Sequence, residues 1–292
     1  MKVQQAELLI NIDSRRSQEA LPIIVEACRK EKIELTKITK IGKGTSLSKV
    51  IADTKRRAPK LLIVGGGDGT ISDAIDELVG SDITLGLIAL GTTNNFARSL
   101  GLPLEPHLAV AAIANRKATA VDLGKVRHDY FANVTGIGLS ALVANNVSNR
   151  TKKIFGRAAY AITGIRELLR HEPFTVTVED KDRELAVRFE THQVIVANGR
   201  YHAGKEIAKE AKLNNRELVI FRLGGRSKLS FLWHTMDFYI GKRKSISHTS
   251  YVIGRNIVLH TSTPQMVELD GEVKFTTPIP VSVEADAIRV RH

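Results

Sequence analysis

Cysteine is almost missing from this chain: Cys28 is the single one in 292 residues. Neither an internal disulfide nor a multi-cysteine zinc site can be built from it, which points to a reducing cytoplasm. Cys28 itself reads as a buried helix residue. The nine histidines show no ligand spacing such as HxxxH, which argues against a catalytic metal held by imidazole. No stretch reaches the roughly 18 consecutive apolar residues of a membrane helix, and the N-terminus shows no positive, apolar, small-residue signal sequence. Any contact with a membrane is therefore expected to be peripheral. Acids are also scarce, 31 Asp and Glu against 43 Lys and Arg, leaving a net charge of +12. That excess biases the surface toward nucleic acid, phosphorylated small molecules or an acidic membrane face. Aromatics make up only 5%, and the basic regions lack the stacking pattern of an RNA reader, so no nucleic-acid partner is expected.

At roughly 100 to 200 residues per domain, the length favours two domains. Composition, 43% apolar and 25% charged, excludes long disorder. Apolar runs and helical patterns alternate through the first 127 residues. Strands are expected at Ala6–Ile12, Ile33–Thr39, Leu61–Val64 and Leu85–Leu90. Between and after them come helices capped by Ser17 and Ser46, then Ile71–Val79 and Asn94–Leu100. Short connections between alternating elements argue for a parallel sheet covered on both faces. From about Val121 the pattern becomes mostly strand: Phe174–Glu179, Leu185–Glu190, Gln193–Ala197, Glu217–Arg222, Tyr251–Ile253, Asn256–His260, Gln265–Leu269 and Pro280–Val290. Helices are expected only at Leu139–Asn149 and Phe155–Arg170. No repeat and no Gly, Ser or Pro-rich linker separates the halves. The expected domains are 1–125, α/β and nucleotide-binding, and 126–292, with its last strands able to return to the first.

Gly65-Gly66-Gly67-Asp68-Gly69-Thr70 lies between an apolar strand and a helix. That is the carboxyl edge where open α/β sheets bind ligands. Glycines admit a phosphate close to the backbone, and the helix start presents free N–H groups and a positive dipole end. The bland alternative is a glycine-rich turn with Asp68 as an ordinary turn acid. The loop is not a P-loop, because GxxxxGK[ST] is missing. Gly136-Ile137-Gly138-Leu139-Ser140-Ala141 fits GxGxxA, but at the start of the β-rich half it reads as tight packing.

Gly66 to Thr70, followed by Leu90-Gly91-Thr92-Thr93-Asn94-Asn95-Phe96-Ala97-Arg98, resembles the bacterial lipid kinases of the diacylglycerol kinase catalytic-domain family. The likeness continues through Val121-Asp122-Leu123-Gly124, Val196-Ala197-Asn198-Gly199-Arg200-Tyr201 and Leu269-Asp270-Gly271-Glu272. It implies an NAD-kinase-like three-layer α/β domain with a parallel sheet, a C-terminal antiparallel β-sandwich, and an active site between them. It implies ATP and Mg²⁺ as cofactors, and transfer of the γ-phosphate to diacylglycerol or a related lipid alcohol. The nucleotide side would comprise Asn11, Thr39, Gly65, Gly66, Gly67, Asp68, Gly69, Thr70, Gly91, Thr92 and Asn94. The resemblance makes Asp270, Glu272 and Asp68 the catalytic carboxylates, with the proton acceptor in the Asp270/Glu272 pair. Asp-Gly is equally a favoured hairpin turn.

The chain also departs from that family. Asn95 stands where an aspartate is expected, Arg15 and Arg16 replace a Ser-Gly, and Asn214-Asn215-Arg216 replaces an Asp-Asp-Gly run that helps hold a structural magnesium. That magnesium site, around Asn215, is expected to be lost, and no other metal site is expected. Basic side chains cluster over residues 150–170 (Arg150, Lys152, Lys153, Arg157, Arg166, Arg170), where Phe155, Ile162, Ile165 and Leu169 could form an apolar face against anionic lipid. A helix docked on its own domain with solvated charges is the simpler alternative, and Lys242-Arg243-Lys244 reads as a solvated run. The expectation is a cytoplasmic enzyme peripheral to membrane, with homodimerisation left open. The competing readings are a catalytically silent nucleotide- or lipid-binding member and a soluble-metabolite kinase resembling NAD kinase.

Overall fold

The computed structural model describes residues 3–147, 157–240 and 251–292. The first 115 residues run β1 (Gln4–Asn11), α1 (Arg15–Lys30), β2 (Ile33–Ile41), α2 (Leu47–Arg57), β3 (Leu61–Gly66), α3 (Asp68–Leu78), β4 (Thr84–Ala89), α4 (Asn95–Ser99) and α5 (Pro106–Asn115). The four strands are parallel in the order β2-β1-β3-β4. Every residue of β3 is buried, as a strand covered on both faces must be. Its odd and even positions feed different cores: Leu62 and Val64 pack with α2, α3 and α4, and Leu61 and Ile63 with α1 and α5.

The starts of α1 and α2 are capped by serine side chains. Ser46 caps α2 by accepting from Lys49 N at 3.4 Å. In α1 the cap is Ser14, not Ser17. The backbone is extended at Ser14 (φ −105°, ψ 147°), and its Oγ accepts from Ser17 N at 3.1 Å. Both serines suit a cap by composition, and only that backbone geometry decides between them.

The remainder continues β5 (Ala118–Val126), β6 (Asp129–Phe131), β7 (Val134–Gly138), α6 (Leu139–Asn146), α7 (Arg157–Arg170), β8 (Phe174–Asp180), β9 (Leu185–Thr191), β10 (Gln193–Ala197), β11 (Tyr201–His202), β12 (Lys205–Glu206) and β13 (Leu218–Leu223). It ends with α8 (Lys228–Ile240), β14 (Tyr251–Gly254), β15 (Asn256–Thr261), β16 (Met266–Leu269), β17 (Glu272–Thr276) and β18 (Ile279–Arg291). Arg150, Lys152, Lys153 and Phe155 of the expected basic helix, and Lys242-Arg243-Lys244, lie outside the described residues. An antiparallel sheet ordered β14-β13-β10-β7-β16-β17 packs one face against β8, β15 and β18 through Ile137, Val194, Val196, Val176, Leu259 and Val281. Its opposite face, carrying Ile195, Val219 and Phe221, is covered by Leu168 of α7 and Phe231 of α8.

β18 joins the two halves. Its first residues pair antiparallel with β15, and its last, Arg289–Arg291, pair parallel with Thr84–Gly86 of β4. β5 follows it on the other side, with a register shift between Glu284 and Ile288. The α/β sheet and one leaf of the sandwich are therefore one hydrogen-bonded surface. Gly136 and Gly138 are packing glycines. A Cβ at Gly136 would meet Glu268 Oε1 and Ser140 Oγ at 2.3 Å, and Gly138 has φ +95° with His192 O 2.6 Å from its would-be Cβ.

Candidate active site

The glycine loop leaves the carboxyl end of β3 and enters α3. Gly67 is the α3 N-cap and supplies no side-chain cap, so the first N–H groups of that helix have no acceptor of their own and the positive end of its dipole is open. Gly66 cannot carry a side chain, because a Cβ there would lie 2.6 Å from Thr70 Cβ. Thr70 Oγ1 accepts from Asn11 Nδ2 at 3.1 Å, which brings the end of β1 to the loop. Thr39 pairs with Leu9 on the edge strand β2, two residues short of Asn11 and one strand further out.

The second motif lies directly beside the first, since β3 and β4 are parallel neighbours. A Cβ on Gly91 would approach Gly67 Cα to 2.7 Å, so the two loops meet backbone to backbone. Asn94 holds the second loop: its Oδ1 accepts from Gly91 N at 2.8 Å and its Nδ2 donates to Gly91 O at 3.0 Å. It does so from a left-handed conformation (φ 50°) that asparagine tolerates. Thr92 is exposed at the tip. Asp68 ties the motifs together, accepting from Thr93 Oγ1 and from Asn95 N, both at 2.6 Å. Arg16, at the start of α1, donates to Gly91 O at 2.9 Å, so the arginine that departs from the family pattern reaches the loop.

Asn95 retains a hydrogen-bond role without charge: its Oδ1 accepts from Gly204 N at 2.8 Å, docking the β11–β12 hairpin on α4. His202 of that hairpin lies close enough to Asp68 to feel its charge. Desolvation is the larger effect and pushes the imidazole below its ordinary range.

Asp270 and Gly271 form the two-residue turn between β16 and β17, with Leu269 paired to Glu272 and φ of +47° and +100°. That is the geometry Asp-Gly favours, so hairpin turn and carboxylate site coincide. The Asp270 carboxylate is fully engaged. Oδ1 accepts from Val134 N at 2.9 Å and Asn133 N at 3.1 Å, and Oδ2 from Ala132 N at 2.7 Å. Ser72 Oγ of α3 donates to Oδ2 at 3.1 Å, linking the glycine-loop helix to the carboxylate turn. Burial raises the Asp270 pKa and these four donors oppose it. Beneath it, Glu268 is buried and accepts from Gly271 N at 2.6 Å. Its pKa is pushed up to about 7 by burial, with the Asp270 charge adding to the shift.

Glu272 faces solvent, its side chain 66% exposed, with Lys274 Nζ 3.9 Å from Oε2. The same ammonium lies 3.7 Å from Asp76 Oδ2 and 3.6 Å from Asp129 Oδ1. Asp76 is nevertheless pushed up to about 6, because burial outweighs the lysine. Asp73 of α3 is raised by burial and by the Glu272 charge. Sequence reading named Arg16 and Thr93 without giving them a contact, and missed Ser72, His202 and Lys274. Of these only Ser72 carried a signal, being four residues beyond Asp68 and so on the same face of a helix.

The loop at 213–217 does not fit a structural magnesium. Buried Asp122 takes main-chain donors on both oxygens, from Arg216 N at 2.8 Å and Asp286 N at 2.9 Å. The Arg216 guanidinium pairs with Asp286 at 2.9 Å, and Asn215 exchanges 3.3 Å bonds with Glu217. A divalent ion needs charged or carbonyl oxygens, and here a guanidinium stands beside carboxylates that already have partners.

Residues 5–126 match the diacylglycerol kinase catalytic domain, and residues 133–292 match the YegS C-terminal NAD kinase beta sandwich-like domain. The diacylglycerol kinase of Bacillus subtilis (strain 168) is 29% identical over 215 residues, covering 73% of this chain and 71% of the relative. A crystal structure of a diacylglycerol kinase from Bacillus anthracis str. Sterne superposes with a TM-score of 0.79 at 25% identity, covering 100% of this chain and 98% of that one. The second match alone spans more than half the chain, and the two meet near the joint of the sheets. This chain belongs to the diacylglycerol kinase catalytic-domain family of bacterial, YegS-like lipid kinases.

Proposed function

We propose that the protein transfers the γ-phosphate of ATP to the hydroxyl of diacylglycerol or a closely related lipid alcohol. The observation that carries this reading is the Ser72–Asp270 contact, because one helix then spans from a phosphate-sized cradle at its N-terminus to the acidic turn in its second turn. The roles follow from what each group has free. The unpartnered N–H groups of residues 68–70 suit phosphate oxygens, with Gly67 and Gly91 leaving backbone room and Thr70, positioned by Asn11, adding a hydroxyl. Asn94, Thr93 and Asp68 keep the second loop against the first. Thr39 and the exposed Thr92 stand at the outer rim of the nucleotide side.

Glu272 is the proton acceptor. Its oxygens are solvent-facing, whereas those of Asp270 are committed to four donors. In the reaction the lipid oxygen bonds to the γ-phosphorus as its proton passes to Glu272, and the bond from γ-phosphorus to the bridging oxygen breaks as ADP leaves. Magnesium carried by ATP would supply charge neutralisation on the phosphates. The catalytically silent alternative rests on Asn95 and the 214–216 run. Both are accounted for by hydrogen bonds that need no carboxylate at those positions, which favours an active enzyme. We place it in the cytoplasm, acting on a membrane surface. The test is incubation with radiolabelled ATP and a panel of diacylglycerol, sphingoid bases and NAD. Label in diacylglycerol supports the reading, and label only in NAD, or none in any acceptor, refutes it.

A further inference from the structure

Seven of the thirteen exposed large apolar side chains among the described residues lie on α7 and α8. On α8, Leu229, Leu232, Trp233 and Met236 follow the i, i+3, i+4, i+7 spacing of one stripe, with Leu229 80% and Trp233 66% exposed. The stripe lies opposite Phe231, the side chain that anchors α8 in the core. On α7, Ile162, Ile165 and Leu169 repeat the arrangement beside buried Leu168, with Leu169 70% exposed. Both helices cover the same face of the antiparallel sheet. Lys228 Nζ donates to Leu169 O at 2.9 Å, so the end of α7 adjoins the start of α8 and the stripes share one surface. Monomeric proteins rarely leave so many apolar groups together.

Basic groups border the apolar ones. Arg166 and Arg170 point away from the α7 anchor and meet no acid among the described residues. Arg226 precedes α8 and Lys228 opens it, within 3.8 Å of Glu190 and 3.4 Å of Glu172 respectively.

We propose that this face of α7 and α8 docks on a bilayer containing anionic lipid, with Trp233 and its neighbours entering the acyl boundary and the arginines against headgroup phosphates. Charge selects the occupant. A second copy would press one arginine-rich rim against another, whereas an anionic bilayer satisfies both the apolar stripe and its basic border. The biological sense of this surface rests on the lipid-kinase reading, but its physical chemistry does not.

Trp233 is the only tryptophan in the chain, so intrinsic fluorescence of the unmodified protein reports on the patch. With vesicles of phosphatidylcholine and phosphatidylglycerol, the emission should shift to the blue and be quenched by brominated acyl chains. Pure phosphatidylcholine should leave it unchanged. Leu229→Glu or Met236→Glu should lower vesicle partition about tenfold or more. Arg166→Gln and Arg170→Gln should each lower it roughly fivefold. No shift with anionic vesicles, or equal partition into both vesicle types, overturns the proposal. It is also overturned if the protein self-associates through Leu229 in solution while vesicles leave Trp233 unchanged. The fluorescence measurement needs neither ATP nor turnover. Phosphorylation of a water-soluble short-chain diacylglycerol by the Leu229→Glu variant separately tests whether the kinase reading stands.

Discussion

Replacing Asp270 by asparagine should reveal whether this carboxylate serves architecture or chemistry. The change is nearly isosteric, but one oxygen becomes an NH₂ that points at donors. If Oδ2 is lost, Ala132 N, now 2.7 Å away, loses its acceptor and faces another donor. Ser72 can rotate to accept instead. If Oδ1 is lost, Val134 N and Asn133 N are the stranded pair. Either way at least one main-chain donor in a part-buried turn loses a charged acceptor, at about 1–3 kcal/mol for each unsatisfied group. The expected destabilisation is roughly 2–4 kcal/mol. Because a chain of this size shifts by about 2–4 °C per kcal/mol, the melting temperature should fall by roughly 4–16 °C. Glu272→Gln supplies the contrast. Its side chain is solvent-facing, so melting should be unchanged within about 0.5 kcal/mol, while kcat drops about 10²–10⁴-fold with ATP affinity retained. Thermal melts and turnover measured on both variants decide the matter. A wild-type melt for Asp270→Asn, or full turnover by Glu272→Gln, would refute the division of labour between the two acids.

Gly91→Ala should place a methyl 2.7 Å from Gly67 Cα, costing about 1–3 kcal/mol by overpacking and weakening ATP binding, read by calorimetry; unchanged affinity would separate the two loops functionally. Glu268 holds its proton to about pH 7 in the folded protein but only to the ordinary glutamate range when unfolded. The native state thus binds more protons between those values, and stability falls as pH rises through that window, by about 3 kcal/mol in all. Urea midpoints of wild type and Glu268→Gln should therefore diverge between pH 5 and pH 8, and a constant difference would show that burial leaves the acid's pKa at its unfolded value. Asp122→Ala should cost roughly 2–4 kcal/mol through two stranded main-chain donors, whereas Arg216→Ala breaks an exposed pair worth under about 1 kcal/mol. Mg²⁺ should raise the melting temperature no more than NaCl of equal ionic strength, and a specific rise would restore a metal to this loop. Cys28 is buried, with its thiol pushed up to about 11, so it should react with a thiol reagent only after denaturation, and labelling of the native protein would show that the α1 face opens.

The elements that were legible are those whose pattern is local. Parallel strands such as Leu61–Gly66 announce themselves as apolar runs, helices such as α2 by a serine cap and 3.6 spacing, and both glycine motifs by composition at a strand end. Helix α5 went unread although Pro106 opens it, because its all-round apolar sequence has no polar face to set a period. Among its described side chains, helix α8 carries an apolar stripe on one face and the core anchor Phe231 on the other, so periodicity there describes a surface rather than a core. The short strands β6, β11, β12 and β17 owe their conformation to partners.

What the chain determined by itself is therefore the alternation of elements, the position of the glycine loop at the end of β3 and the family to which it belongs. Each of these depends on residues within a turn or a strand of one another. Only the tertiary structure decided which of two neighbouring acids has its oxygens occupied, since Asp270 is claimed by main-chain donors 136 to 138 residues away and by a serine 198 residues away. It likewise decided that Asn95 and Arg216 are accommodated by hydrogen bonds, and that α7 and α8 turn their apolar stripes outward. Hydrogen-bond partners and burial are properties of the assembled chain. A residue's type states what it can bond, and only the surrounding fold settles what remains unbonded.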